Sequence, residues 1–139
     1  MIWPGFPKRL LSALKSLCCL ASSRGSMQSQ QIAERIGVST AETAKVLQLL
    51  VWGGFVTSRR GSKGGFQLVS SADRITTGQV MEFFFSKHIA DSDGDCPVIR
   101  ALQKSIAPGQ EAFGSLTLAD VAAGRTQPHR KRPRKAGVK

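Results

Sequence analysis

The sequence has few cysteines and no long apolar run. Its 139 residues include three cysteines, whose number and spacing provide no disulfide framework. No run of about 18 or more apolar residues occurs, which argues against a membrane-spanning helix. The apolar stretch after Lys8 and Arg9 does not have the form of a secretory or lipoprotein signal, because Lys15 interrupts it and Leu17, rather than a small residue, precedes Cys18. We therefore expect a cytoplasmic protein with no membrane partner.

Acidic residues are scarce at both ends of the chain. Nine Asp and Glu stand against twenty Lys and Arg, and the formal net charge is +11. Residues 1–70 carry +7, residues 71–124 carry −3, and residues 125–139 carry +7 with no acid. Basic ends around a mildly acidic middle favour a polyanionic partner, although a basic tail can also serve solubility alone. The sequence contains no clustered acid–base group, phosphate-binding loop or activated nucleophile, so an enzyme is not expected.

The first half of the chain has the pattern of a helix–turn–helix. Apolar residues at helical spacing predict an amphipathic helix over residues 8–22, with its basic residues facing solvent or DNA. Ser29 can cap a second helix. Ser39, with Glu42 three residues later, forms an S-x-x-E capping pattern that begins a third. A short helix, a three-residue turn and a capped helix are typical of a helix–turn–helix whose second helix reads DNA.

A basic hairpin is predicted directly after the third helix. The β-prone runs Phe55–Ser58 and Phe66–Val69 flank a glycine-containing loop with Arg59, Arg60 and Lys63. Three cations without an acid repel one another, so this tip fits a hairpin that meets phosphates or enters a minor groove. The glycines expected to shape the loop, through positive φ or close backbone approach, are Gly61, Gly64 and Gly65. The order of helix, turn, helix and basic hairpin is that of a winged helix.

The second half predicts further helices. Thr76 or Thr77 can cap a fourth helix, and Pro97 suits the first turn of a long helix. Thr117 can cap a last short helix. Residues 125–139 are predicted to be disordered.

Five stretches resemble the bacterial winged-helix regulators of the IscR/NsrR/CymR type, the Rrf2 family. They are ALKSLCCLA, IAERIGVS, GGFVTSRRGSKGGFQL, ITTGQV and SLTLADV, between about Lys8 and Gly124. The resemblance implies a homodimer, held by the helix around 97–113, that binds a palindromic double-stranded DNA operator as a repressor or occasional activator. The expected fold is mainly α with a small β-hairpin: a winged helix-turn-helix domain plus a long C-terminal dimerisation helix. The expected divisions are an irregular N-terminus (1–7), the DNA-binding domain (8–75), dimerisation helices (76–124) and a basic tail (125–139).

The sequence departs from this family at its sensing site. Many members hold an iron–sulfur cluster through three cysteines ahead of the dimer helix, and only Cys96 matches. One thiolate per chain falls short of the roughly four ligands that such clusters need, so no cofactor and no metal are expected. The signal would then be a small-molecule or protein effector. A thiol switch at Cys96 is an alternative, although Asp91, Asp93 and Asp95 nearby favour the neutral thiol.

Positions in the reading helix and its neighbour predict several DNA contacts. Ser39 can cap the helix, bond a phosphate, or do both. Thr40 lies in the first turn, where recognition helices of the family meet DNA. Glu42 can complete the capping box or accept from cytosine N4, and Lys45 can contact a phosphate or guanine. Two further phosphate contacts are predicted at the start of the second helix, at Ser29 and Gln30.

The wing supplies the remaining contacts. Arg60 aligns with the family arginine that reaches into the minor groove, with Arg59 secondary and Lys63 on a phosphate. A nonspecific nucleic-acid-binding basic protein is the rival from another class. Sequence preference separates the two, because a binder that relies on charge alone shows none.

Overall fold

The computed structural model describes residues 8–23, 25–61, 64–90, 97 and 113–127. Its elements are, in chain order, α1 (Lys8–Ala21), α2 (Ser29–Ile36), α3 (Thr40–Trp52), β1 (Val56–Arg59), β2 (Gly65–Leu68), a 3₁₀ turn (Ala72–Arg74), α4 (Thr77–Ala90) and α5 (Leu118–Ala122). The described part is mainly helical with one small antiparallel hairpin, as the sequence predicts. Most of the predicted dimerisation helix lies outside the described residues, as do Lys63, Cys96 and most of the basic tail.

Helix α1 lies at the centre of the core. Leu10, Leu14 and Leu17 recur at helical spacing and are buried, while Lys8, Arg9 and Lys15 are exposed as expected. The helix contacts α2, α3, α4 and α5, so its apolar stripe joins the helix–turn–helix to the C-terminal helices. The buried hydroxyl of Ser16 donates to the Ser12 carbonyl at 2.8 Å, which satisfies a polar group inside the core.

Helices α2 and α3 pack against each other as a helix–turn–helix. Gly37 ends α2 at φ +70°, a conformation that glycine adopts without penalty. The prediction that Ser29 caps α2 is wrong, because Gln28 is the capping residue and Ser29 is the first helical one. The Gln31 side chain accepts the Gln28 backbone N–H at 3.0 Å, and this bond moves the start of the helix by one residue.

The hairpin pairs Val56 with Leu68 and Arg59 with Gly65, so each strand is shifted by about one residue from its prediction. Val56 is buried, and it anchors the hairpin to the core. A second pairing holds β2 from the other side. The Met27 N–H donates to the Phe66 carbonyl at 2.9 Å, and the Phe66 N–H donates back at 2.7 Å. The wing is therefore fixed to Met27, which precedes the α2 capping residue Gln28.

The C-terminal segment is joined to the start of α4 by hydrogen bonds. Thr76 caps α4, since its hydroxyl accepts the Gln79 N–H at 3.2 Å and the Gln79 side chain accepts the Thr76 N–H at 3.1 Å. The buried Thr77 hydroxyl instead donates to the carbonyls of Phe113 and Leu116. These bonds connect the beginning of α4 to the segment that leads into α5.

Helix α5 has the predicted cap at Thr117. The Thr117 hydroxyl accepts the Asp120 N–H, and the Asp120 carboxylate accepts the Thr117 N–H, both at 3.0 Å. Arg125 donates to the same carboxylate at 3.0 Å. The backbone bond from Thr117, together with Arg125, holds the pKa of Asp120 below its usual value.

Candidate nucleic-acid interface

Helix α3 presents one stripe of side chains to solvent. Ala41, Lys45, Gln48 and Trp52 are exposed and recur at helical spacing, while the opposite face is buried. The buried side chains of that face are Thr43, Val46, Leu47 and Leu50. Because the inner face is packed into the core, the outer stripe is held in a fixed orientation for a partner.

The first turn of α3 combines a cap with exposed polar side chains. The Ser39 hydroxyl accepts the Glu42 N–H at 3.2 Å, so the predicted cap is confirmed. Ser39 and Thr40 are both exposed. Lys45 lies about one turn further along α3 and is also exposed. The candidate contacts Thr40 and Lys45 are therefore both exposed side chains of α3.

The Glu42 side chain contacts a residue that sequence reasoning did not pair with it. Its Oε1 lies 3.5 Å from Nε of Arg9, in the first turn of α1. The two side chains are 39% and 59% exposed, respectively. The Ser39 hydroxyl forms its half of the expected capping box. The Glu42 side chain pairs with Arg9. No local pattern signals this pair, because the two residues are far apart in sequence.

The wing carries two exposed arginines. Arg59 ends β1 and Arg60 follows it, and both side chains are exposed. The predicted roles of the loop glycines are confirmed. A Cβ on Gly64 would lie 2.2 Å from the Arg59 carbonyl oxygen, so only glycine fits there. Gly61 and Gly65 have φ +109° and +138°.

The remaining candidate DNA contacts among the described residues lie at the start of α2. Gln30 is exposed and Ser29 is half-buried in the first turn, where backbone N–H groups lack helical partners. The Met27–Phe66 pairing ties this turn to the wing, α2 packs on α3, and α3 contacts β1. The candidate residues of α2, α3 and the wing therefore belong to one packed unit.

Trp52 is a surface feature that the sequence did not explain. It lies at the last position of α3 and at the end of the exposed stripe, with 81% of its surface accessible. Large exposed aromatic side chains are more common at interfaces than elsewhere on a protein surface. Trp52 thus extends the outward face of α3 beyond the residues that sequence reasoning selected.

Comparison with known proteins identifies this arrangement. Residues 6–124 match Rrf2, described as an iron-dependent transcriptional regulator. The chain belongs to the Rrf2 family. Among Rrf2-type relatives, it is 34% identical over 128 residues to the HTH-type transcriptional repressor NsrR of Streptomyces coelicolor, with 84% of this chain and 86% of that protein covered. The prediction of the family is confirmed, and the chain is a DNA-binding transcriptional regulator.

Solved structures agree with the Rrf2 fold. CymR, the global cysteine regulator of B. subtilis, superposes with a TM-score of 0.68 at 25% identity and covers 89% of this chain and 98% of its own. IscR of T. potens gives a TM-score of 0.69 at 23% identity, with 86% of each chain covered. The helix–turn–helix and wing described above thus have the architecture of known Rrf2 winged helices.

The iron in the description of Rrf2 raises the question of which donor side chains the described residues offer. Cys18 and Cys19 lie in α1, are half-buried and pack against the hydrophobic core. The Cys19 Sγ lies 3.8 Å from the Met27 Sδ. Burial, and to a lesser degree Cys19, raises the pKa of the Cys18 thiol, which disfavours the thiolate that binds iron. Within the described ranges, no three His, Cys, Asp or Glu side chains are grouped so that they could hold a metal ion. These residues do not fit an iron–sulfur site.

No helix in the described part of this Rrf2 chain has the length and apolar character needed to cross a membrane.

Proposed function

We propose that this protein is a sequence-specific transcriptional repressor that binds a palindromic operator as a homodimer and carries no iron–sulfur cluster. The observation that carries the proposal is the capped helix α3, whose exposed Thr40 and Lys45 stand in the same packed unit as Arg59 and Arg60 of the wing. A protein with such a unit can place a helix in the major groove and a basic tip beside it.

The candidate residues other than Glu42 have proposed roles at the DNA. Thr40 and Lys45 contact bases or phosphates in the major groove, and Arg60 enters the minor groove, where a narrow groove concentrates negative potential. Arg59 and Lys63 contact phosphates. Ser29, Gln30 and Ser39 bond phosphates from the starts of α2 and α3.

The dimer is proposed from the family resemblance, and the repressor role from the relatives. NsrR of Streptomyces coelicolor is a transcriptional repressor, and the chain matches most of its length. A symmetric dimer reads two half-sites, and their spacing follows the distance between its two reading helices.

The segment 76–124 would hold the two chains together and residues 8–75 would bind DNA in the cytoplasm. The protein would have no enzymatic activity.

The absence of a cluster is proposed from the donor set. The chain has three cysteines, two of which are adjacent in α1 and pack partly against its core. The signal is then a small-molecule or protein effector. Anaerobically purified protein is expected to be colourless. Stoichiometric iron and sulfide with a visible charge-transfer band would contradict this part of the proposal.

Selection of bound fragments from genomic DNA tests the function. The expected result is a small set of promoter fragments that share an inverted repeat, each protected by two chains. The matched variant is Lys45→Ala, which removes a candidate contact from the exposed face of α3 and should weaken the enrichment. Recovery of random fragments with no shared sequence would favour the nonspecific basic protein and contradict the proposal.

A further inference from the structure

We infer that Arg9 is a positioning residue of the DNA interface, which holds and neutralises the carboxylate of Glu42 on the reading helix. The inference rests on the proposed function, because it concerns how α3 meets its operator. It extends the interface to the first turn of α1, a helix whose apolar face builds the core. Arg9 would act through Glu42 rather than by reading a base.

The geometry supports a defined pair. Nε of Arg9 lies 3.5 Å from Oε1 of Glu42. The next residue after each of them, Leu10 and Thr43, is fully buried, so both backbones are fixed by the core. Helices α1 and α3 also pack directly against each other. The two side chains therefore meet because the fold brings their helix starts together.

The charges explain why the pair matters for DNA. Glu42 is the one acidic residue in the sequence of α3, and it lies between the exposed Thr40 and Lys45. A carboxylate that faces the phosphate backbone without a counter-charge is repelled by it. A carboxylate held by Arg9 adds no net charge at the point where the helix approaches the groove. Freed from Arg9, the same group can also accept from cytosine N4, which would change the base preference.

A double-mutant cycle on operator affinity tests the inference. The operator from the genomic selection is titrated at one salt concentration with wild type, Arg9→Gln, Glu42→Gln and the double variant. Arg9→Gln is expected to weaken binding about tenfold, because the Glu42 charge is left uncompensated. Glu42→Gln should not reproduce this loss, because no carboxylate is left to face the phosphates, and the double variant should match Glu42→Gln. Arg9→Lys should restore most of the affinity.

A second readout separates positioning from a purely structural role. Repeating the selection with Arg9→Gln should enrich cytosine at the positions under the start of α3, and the double variant should lose this enrichment. Thermal unfolding of each variant checks that the fold is kept. Lys8→Gln is the matched control, since it removes the neighbouring exposed cation and should have the same small effect in both Glu42 backgrounds.

Two results would overturn the inference. One is an Arg9→Gln defect of equal size with and without Glu42, which would make Arg9 a direct phosphate contact. The other is no defect at all. Arg60→Ala in the same titration distinguishes these from failure of the proposed function. If Arg60→Ala loses operator binding but the double-mutant cycle shows no coupling between Arg9 and Glu42, only the role of Arg9 is rejected. If neither experiment changes operator affinity, the proposed DNA interface is rejected.

Discussion

Arg60, the proposed minor-groove contact, shows how the surroundings of a single side chain leave it accessible. It follows directly after β1, its side chain is exposed, and the glycines that follow keep the wing loop tight. No acidic residue lies between Glu42 and Asp73 in the sequence to compete for the guanidinium locally. The wing therefore offers its positive charge to a partner outside the chain.

Replacing Arg60 by alanine should weaken operator binding by about 1–3 kcal/mol, because a groove contact and its charge are lost. Fluorescence anisotropy with the selected operator at fixed salt measures the change. Arg35→Ala is the control, since Arg35 is an exposed arginine in the last turn of α2 and was not selected as a DNA contact. Equal affinities for wild type and Arg60→Ala would remove the wing from the mechanism.

At the scale of the element, caps and turns determine whether α3 and the wing keep their shape. The Ser39 hydroxyl satisfies a backbone N–H that would otherwise have no helical partner. Removing it in Ser39→Ala should lower the free energy of unfolding by about 1 kcal/mol. Urea unfolding measures the loss, and Ser70→Ala, an exposed serine outside the helices, is the control. An unchanged unfolding midpoint would contradict the capping role.

The wing depends on Gly65 for two independent reasons. Its φ is +138°, and a Cβ there would lie 2.6 Å from the Met27 carbonyl oxygen. Gly65→Ala should therefore destabilise the protein by about 1–3 kcal/mol from backbone strain alone, and should weaken DNA binding by disturbing the Met27–Phe66 pairing. Gly25→Ala is the control, because nothing lies within 4 Å of its Cβ and its φ is not positive. Equal stability of the two variants would contradict this description of the hairpin.

Local sequence patterns predicted most of the elements but not how they meet. Ser39 and Thr117 were correctly expected as caps, and Thr76 is one of the two candidates given for α4, because a cap is decided within about four residues. The cap of α2 was misplaced, since Ser29 and Gln28 compete and the Gln31 side chain decides between them. The Arg9–Glu42 pair joins residues distant in sequence, and no single-sequence pattern contains it.

At the scale of the whole molecule, the helix–turn–helix and the C-terminal segment share one core through α1. The start of α4 bonds to the segment before α5, and Thr117 pairs with Thr76. A change in the C-terminal segment therefore has a direct packing route to α1, which also contacts α2 and α3. Such a route is what an effector-controlled repressor would use.

Acid should weaken this C-terminal connection. The folded-state pKa of Asp120 is depressed, mainly by the Thr117 backbone N–H, so its contribution to stability is present above the unfolded pKa of about 3.9 and is lost as the pH falls further. Asp120→Asn should lower the urea midpoint at pH 7 and make it less sensitive to acidification. Glu82→Gln, at an exposed position, is the control. Equal acid sensitivity of wild type and Asp120→Asn would contradict the assignment.

The central claim is sequence-specific recognition, and the ratio of specific to nonspecific affinity tests it most directly. The selected operator and a shuffled duplex of the same length and composition are titrated at the same physiological salt. The operator is expected to bind about a thousandfold tighter or more. Equal affinities, with the same dependence on salt, would show that charge alone binds the DNA and would contradict the account.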